Sequence, residues 1–209
     1  MIEEIEKAMI LYTKGNKIKH DVAHFLKVHQ YARLIGQLEH LEKREQDILE
    51  VAAIVHDIAC PMCREKYGHC AGNLQEKEGP ALVKEVLKGF PLDYAFVERV
   101  CYLVGHHHTY QDVDGLDYQI LLEADFLVNA DESNLKKEAI EKMKINVFKT
   151  KNGGKHYETQ KSYGINHGRC YGSNNTYRLR KQFFHNRDNK GSRDNSSRSS
   201  RYYSSCSSR

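Results

Sequence analysis

The chain has 209 residues, of which 40% are hydrophobic and 29% charged, and it has no apolar run of about 18 residues that could cross a membrane. Its N-terminus, Met1 to Leu11, is acidic and amphipathic rather than signal-like, which favours a cytoplasmic protein. The net charge of +4 conceals an asymmetry: Lys and Arg number 20 against 25 Asp and Glu up to Lys151, but 12 against 3 from Asn152 onward. The two parts therefore need separate interpretations.

Residues 1–151 are typical of a succession of helices. Apolar residues recur at helical spacing from Ile2 to Tyr12, and a second helix is predicted from an N-cap at Asp21 to about Leu38. Further helices are predicted over about 43–56, from Pro80 to Gly89, after N-caps at Asp93 and Asp117, and over about 134–148. Strand alternation is nowhere sustained in the sequence, so the predicted fold class is all-α.

The segment from Asn152 to Arg209 has a different composition. Its only aliphatic residues are Ile165 and Leu179, and Ser, Asn, Arg, Gly and Tyr dominate. Such a segment cannot bury enough apolar surface to offset the entropy of ordering, so we predict a basic, low-complexity, disordered tail over 152–209. Either it is a tail that binds nucleic acid or another polyanion, or it is the end of a frame-shifted or read-through gene. The abrupt end of the amphipathic pattern at Lys151 favours the second explanation.

Four polar side chains lie where the helical pattern places apolar ones. His24 lies four residues before Val28 on the same helix face, and His56, followed by Asp57, ends the apolar stripe of the third predicted helix. Asp125 lies inside the apolar run of the helix predicted after Asp117, which contains no Lys or Arg. A buried carboxylate is costly unless it is paired or bound to a cation.

Each of these side chains alone has an ordinary explanation. A single histidine on an apolar face is more often a hydrogen-bonded core residue than a ligand, and Asp125 could be the buried partner of a tyrosine or histidine. Together, two histidines and two aspartates converging from three helices indicate a mixed nitrogen and oxygen metal site. Such a site suits a divalent ion: Mn, Fe, Co, Ni, Zn or Mg.

The segments KHDVAHFLKV, AAIVHDIA and EADFLVNAD resemble the motifs of the HD superfamily of metal-dependent phosphohydrolases. The resemblance extends over roughly residues 15 to 150 and implies an all-α HD-domain helical bundle. It implies that His24, His56, Asp57 and Asp125 bind the metal. It also implies that a metal-activated water, oriented by Asp57 as catalytic residue, hydrolyses a phosphomonoester or phosphodiester, most simply of a nucleotide.

One departure from the family pattern concerns phosphate binding. Many members continue the His-Asp doublet with Ile-Gly-Lys, and the Lys assists with phosphate binding. This chain has Ala59 in place of the Gly and Cys60 in place of the Lys. Lys27, one turn after His24, is therefore the candidate catalytic cation, and Arg64 is a second candidate. A solvated surface charge is the alternative for both. The departure also favours an alternative function, a catalytically silent HD-fold module that binds a nucleotide or a protein partner.

A run of three histidines, 106–108, follows the helix predicted after Asp93. Some HD members use histidines in this region for a second metal or for the substrate, so His106 and His107 are candidate ligands by analogy. The alternative is a helix C-terminus, where the partial negative charge favours imidazolium. His69, in a connecting loop, is a further candidate for the same cleft.

Cysteines cluster behind the doublet in CPMCREKYGHC. Cys60, Cys63, His69 and Cys70 have a spacing compatible with a compact zinc loop, although adjacent ligands at 69 and 70 make a tetrahedron awkward. A chain that is neither small nor secreted is expected to keep its thiols reduced. We therefore expect ordinary thiols, with zinc ligation as the alternative. No membrane partner is expected, and the acidic body argues against nucleic acid as a partner except through the tail.

Overall fold

The computed structural model describes residues 1–15, 17–132 and 137–162. Within these ranges the chain forms nine α-helices and no strand, which confirms the all-α prediction. None of these helices combines the length and the apolar character that a membrane span needs. The helices are α1 (Ile2–Tyr12), α2 (Ile18–Leu38), α3 (Lys43–Val55), α4 (Cys60–Tyr67), α5 (Gly72–Leu87), α6 (Tyr94–Val104), α7 (Leu116–Glu132), α8 (Lys137–Val147) and α9 (Lys151–Ser162).

The centre of the bundle is formed by α2, α3 and α7, each of which packs against the other two. Residues 48–55 of α3 and 120–128 of α7 are buried on nearly every side, so both helices must be enclosed by others. On the outside, α1 packs on α3, and α5 packs on α6, which itself contacts α3. Polar side chains on the buried faces of the central helices therefore meet in the interior.

Helix boundaries follow the predicted caps in one case and differ in others. The carboxylate of Asp93 accepts a hydrogen bond from the backbone N of Phe96 at 2.9 Å, which confirms the predicted N-cap of α6. The predicted cap at Asp21 is wrong, because α2 begins three residues earlier and the carboxylate of Asp21 forms an ion pair with Arg64. Pro80 lies inside α5 rather than in its first turn.

The N-terminus of α7 also differs from the prediction. Asp117 lies in the first helical turn, and its Oδ1 forms an ion pair with Nη2 of Arg99 at 2.7 Å. The carboxylate is therefore used in tertiary packing against α6 as well as at the helix terminus. The predicted start of the next helix at about residue 134 lies outside the described residues.

The cysteine loop contains a disulfide bond, so the prediction of free thiols or zinc ligands is wrong for Cys60 and Cys70. Gly68, at a φ of 79°, ends α4 in a left-handed conformation and turns the chain back along the helix. The Cα atoms of Cys60 and Cys70 then lie 5.2 Å apart, a separation that a disulfide bond can span. Cys63 and Cys101 are free and buried.

Helical structure continues past the predicted domain boundary at Asn152, since α9 extends to Ser162. The segment that leads into α9 is held against α7 by polar contacts, which a count of aliphatic residues does not reveal. Glu123, fully buried in α7, accepts hydrogen bonds from the backbone N of Lys149 at 2.7 Å and of Thr150 at 2.8 Å. A Cβ at Gly153 would lie 1.8 Å from Oε2 of Glu123, so glycine permits this close approach. The remainder of the predicted tail, from residue 163, lies outside the described residues.

Candidate metal centre

The four side chains predicted as metal ligands lie together in the interior of the bundle. His24 projects from α2, Asp125 from α7, and His56 and Asp57 from the end of α3. The Nε2 atom of His24 lies 3.2 Å from Oδ1 of Asp125, 3.3 Å from Nε2 of His56 and 3.6 Å from Oδ2 of Asp57. We call these four residues the primary cluster.

Burial differs across the primary cluster. His24 and Asp125 are buried and His56 is inaccessible, whereas the side chain of Asp57 is 26% exposed. Asp57 therefore lies at the solvent side of the cluster. Oδ1 of Asp125 also accepts a hydrogen bond from the Asn129 amide at 2.8 Å, which orients that carboxylate from one turn further along α7.

Each histidine around the cluster has one ring nitrogen occupied by an acceptor. Nδ1 of His24 donates to Oε2 of Glu132 at 2.9 Å, and Nδ1 of His56 donates to the Ala53 carbonyl at 2.8 Å. Nδ1 of His107 donates to the Val104 carbonyl at 2.7 Å. Because a carboxylate or carbonyl can only accept, Nδ1 carries the hydrogen in all three rings, and in the neutral ring Nε2 keeps a lone pair. This is the outer arrangement found around metal-bound histidines.

A second cluster shares Asp57 with the first. Nε2 of His107 lies 3.6 Å from Oδ1 of Asp57, while Oδ2 of the same carboxylate faces His24 and His56. Candidate ligand atoms of Asp57, His107 and His108 lie within 4.8 Å of one another, as do those of His24, His56 and Asp57. We call Asp57, His107 and His108 the second cluster. A carboxylate that offers one oxygen to each cluster could bridge two ions.

The pKa shifts in the primary cluster indicate that its two aspartates require a positive charge beside them. Burial alone raises the pKa of Asp57 and of Asp125, yet the histidines that face them lower both pKa values. Burial lowers the pKa of His24, but hydrogen bonds to Asp125 and Glu132 outweigh it and raise the pKa to about 10. Without a metal, protons on histidine therefore supply the charge that the aspartates require, and a metal would displace them.

The second cluster offers a ligand that remains neutral. Burial, and next the positive charge of His107, lower the pKa of His108 to about 4. Its Nε2 is buried and has no hydrogen-bond partner in the described part of the chain. The ring packs on Gly72, where a Cβ would lie 2.7 Å from it. A buried imidazole nitrogen with a free lone pair is suited to bind a cation.

The donor chemistry therefore fits a divalent metal. Neither Asp57 nor Asp125 has a Lys or Arg partner among the described residues, and both face histidine nitrogens. Two buried carboxylates with several imidazoles form a mixed nitrogen and oxygen set, which does not by itself select one transition metal.

Lys27, predicted as a catalytic cation, lies at the edge of the primary cluster. Its Nζ donates to Oε1 of Glu132 at 2.7 Å, while Oε2 of the same carboxylate accepts from His24. Burial raises the pKa of Glu132, but the hydrogen bonds from His24 and Lys27 outweigh it and lower the pKa to about 2. In this arrangement Lys27 acts on the cluster through Glu132, and a direct contact with phosphate stays a prediction.

Other candidates lie apart from the clusters. The Nδ1 atom of His106 bonds to the Tyr102 carbonyl at 2.7 Å, and its ring packs on that tyrosine at 4.3 Å between centroids, so it faces away from both clusters. Arg64 is engaged by Asp21, and His69 lies on the wall of a separate cavity.

Glu132 and His108, like Asn129, belong to the site but were not predicted as site residues. Glu132 had a detectable signal, since it lies seven residues after Asp125 and therefore on the same face of α7. His108 had none, because residues 105–108 form turns after α6 and follow no helical period.

The described residues thus form an all-α bundle with a buried cluster of histidines and aspartates that could hold a metal ion. The sequence matches the HD domain family over residues 21–145, more than half of the chain. The chain therefore belongs to the HD domain family, whose members are mostly metal-dependent phosphohydrolases. No curated protein matches the chain, and no solved structure matches it.

Proposed function

We propose that the protein is a metal-dependent phosphohydrolase that cleaves a phosphomonoester or phosphodiester, most simply of a nucleotide. One observation carries the proposal: three histidines have Nδ1 occupied by an acceptor and turn Nε2 toward the carboxylates of Asp57 and Asp125. A core that needed only paired hydrogen bonds would have no reason to bring the Nε2 atoms of several histidines together at two buried carboxylates, whereas these are the donor atoms that a metal ion would use.

The primary cluster would hold a divalent ion through His24, His56, Asp57 and Asp125. When bound, the metal supplies Lewis-acid activation of water and neutralises phosphate charge. Asp57, the exposed member of the cluster, accepts a hydrogen bond from the attacking water and thereby orients it toward phosphorus. Asn129 and Glu132 hold Asp125 and His24 in place. In-line attack by the water oxygen forms the new bond to phosphorus and breaks the bond between phosphorus and the ester oxygen. The proton that the water releases to Asp57 balances the proton that the ester oxygen takes up, so that it leaves as the alcohol.

Asp57, His107 and His108 would hold a second ion, because their candidate ligand atoms lie close together. When bound, that ion would add to the neutralisation of phosphate charge. Of the two histidines predicted as possible ligands in this region, His107 belongs to the second cluster, and His106 is not among the candidate ligands grouped in the described residues.

A second candidate function is a catalytically silent HD module that binds a nucleotide or a protein partner. The observation that favours it is the lack of a free cation after the doublet. Ala59 is fully buried and Cys60 is bonded to Cys70, so neither can replace the phosphate-binding Lys of other members. The ion pair of Lys27 with Glu132 also favours the silent module, because it occupies the other candidate phosphate-binding cation.

The deciding experiment compares wild type with Asp57→Ala and a matched surface variant, Asp47→Ala, whose carboxylate pairs with Lys43 on α3. Elemental analysis after purification, and hydrolysis of p-nitrophenyl phosphate, bis(p-nitrophenyl) phosphate and nucleotides with Mn²⁺ or Ni²⁺, are the measurements. We expect about one or two ions per chain and turnover in wild type and Asp47→Ala, and loss of both in Asp57→Ala. Metal without any turnover would favour the silent module, and turnover in folded Asp57→Ala would contradict the mechanism.

A further inference from the structure

A basic cavity of about 790 Å³ lies where the segment leading into α2 meets α4. Lys14 and Lys17 line one side and Arg64 the other, and Glu65 is the one acidic residue of its described wall. The size is that of a small-molecule site rather than of a surface irregularity. Neither the primary nor the second cluster contributes a residue to this wall.

One contact relates the cavity to the metal centre. Arg64, on the cavity wall, forms an ion pair with Asp21, which precedes His24 by three residues and therefore lies on the same face of α2, about one turn away. Lys17 is the N-cap of the same helix, seven residues or about 10 Å along the axis before His24. The cavity therefore lies near the end of α2 that carries a ligand of the primary cluster.

The charges around the cavity differ in how they are used. Arg64 is partly buried and held in place by the carboxylate of Asp21, on the same face of α2 as His24. Lys14 and Lys17 are exposed, and in the described part of the chain no carboxylate lies within ion-pair distance of either. Lys14 and Lys17, which have no ion-pair partner in the described residues, therefore supply the unbalanced positive charge of the cavity, because the charge of Arg64 is balanced by Asp21. Lysines without a counter-charge attract an anion rather than stabilise the fold.

The wall of the cavity is also fixed in position. The disulfide between Cys60 and Cys70 ties the loop after α4 to the start of that helix, and Gly68 and Cys70 of this loop line the cavity. The backbone N of Cys60 donates to the carbonyl of Asp57 at 2.9 Å, which connects the same wall to the metal centre. A site with fixed walls loses less entropy when it binds.

We propose that this cavity binds a second, distal phosphate group of the substrate, so that the enzyme prefers oligophosphate esters to simple monoesters. The inference rests on the proposed hydrolase function, because only that function makes the bound phosphate ester a substrate. The anion site itself does not need a metal. The cavity would supply the positive contacts that Ala59 and Cys60 cannot supply after the doublet.

Binding of inorganic tripolyphosphate to the full chain in EDTA tests the site independently of catalysis. The variant is Lys14→Glu/Lys17→Glu, and the control with the same change of charge is Lys7→Glu/Lys88→Glu, at exposed positions on α1 and after α5. We expect calorimetry to show binding that is about tenfold weaker in the first variant, unchanged in the control and weaker at high salt. No binding by wild type, or equal binding by both variants, would overturn the proposal.

Hydrolysis by the metal-loaded protein provides the second measurement. For Lys14→Glu/Lys17→Glu we expect kcat/KM to fall about tenfold for a nucleoside triphosphate and to change less than about twofold for p-nitrophenyl phosphate. An equal fall for both substrates would overturn the proposal. If wild type hydrolyses neither substrate but the tripolyphosphate result holds, the hydrolase function fails while the anion site stands.

Discussion

Two buried histidines on α2, five residues apart, have opposite surroundings. Nε2 of His24 lies near two carboxylates and a second imidazole in the primary cluster. Nε2 of His29 donates to Oε2 of Glu50 at 3.0 Å, and Oε1 of Glu50 accepts from the Gln46 amide at 2.8 Å. The two rings are equally buried, at 4% and 3% exposed.

The difference shows what makes a buried histidine a ligand. Around His29 the carboxylate of Glu50 is occupied on both oxygens, and burial, opposed by the hydrogen bonds from His29 and Gln46, leaves the pKa of Glu50 lowered. Nδ1 of His29 is buried without a hydrogen-bond partner in the described part of the chain, and Oε1 of Glu6 lies 3.9 Å from it. Around His24 the carboxylates of Asp57 and Asp125 face the Nε2 atoms of several histidines whose Nδ1 atoms are already bonded. Only the second set brings several imidazoles and two carboxylates together, which is the composition of a cation site.

Replacing each histidine by alanine gives the largest expected contrast. His24→Ala removes a ligand and one of the hydrogen-bond donors to Asp125 and to Glu132, so we expect metal affinity and kcat/KM to fall more than about 100-fold. His29→Ala should retain the metal and activity but lose about 1–3 kcal/mol of stability, because Glu50 loses one of its two hydrogen-bond donors. Elemental analysis and denaturant unfolding measure the two effects. Loss of metal in folded His29→Ala would contradict this division of roles.

The sequence was sufficient to predict much of the primary cluster, for a physical reason. His24, His56 and Asp125 lie on regular helices or at a helix end, where the apolar period of 3.6 residues determines which side chains point inward. The same period could not separate His29 from His24 by function, because both histidines lie on the broad buried face of α2. That distinction depends on residues from α3 and α7, which only the tertiary structure brings together.

The second cluster and the disulfide of the cysteine loop could not be predicted from helical periodicity. Residues 105–108 turn irregularly after α6, so nothing in the local pattern indicates that His107 and His108 face inward while His106 packs on Tyr102. The pairing of Cys60 with Cys70 depends on the turn at Gly68, which composition does not reveal.

Removing the metal should have the next largest effect. With free metal at 100 times its Kd, chelation costs about 2.7 kcal/mol of stability, or about 5–10 °C in Tm for a chain of this size. We expect wild type and His29→Ala to show this shift on adding EDTA, and His24→Ala to show little. Thermal unfolding with and without EDTA, reversed by excess Mn²⁺, is the measurement. An equal shift in His24→Ala would place the stabilising metal outside the primary cluster.

The smallest effect concerns the acceptor that orients His24. Glu132→Gln keeps the shape of the side chain but removes its charge, so Nδ1 of His24 loses a strong acceptor, and we expect metal affinity to fall about tenfold. Lys27→Met should lower it about threefold, because Nζ acts through Glu132. Metal titrations and kcat/KM for both variants separate positioning from catalysis. If Lys27→Met instead left metal affinity unchanged and lowered kcat more than about 100-fold, Lys27 would contact the substrate directly, and its ion pair with Glu132 would have to open during turnover.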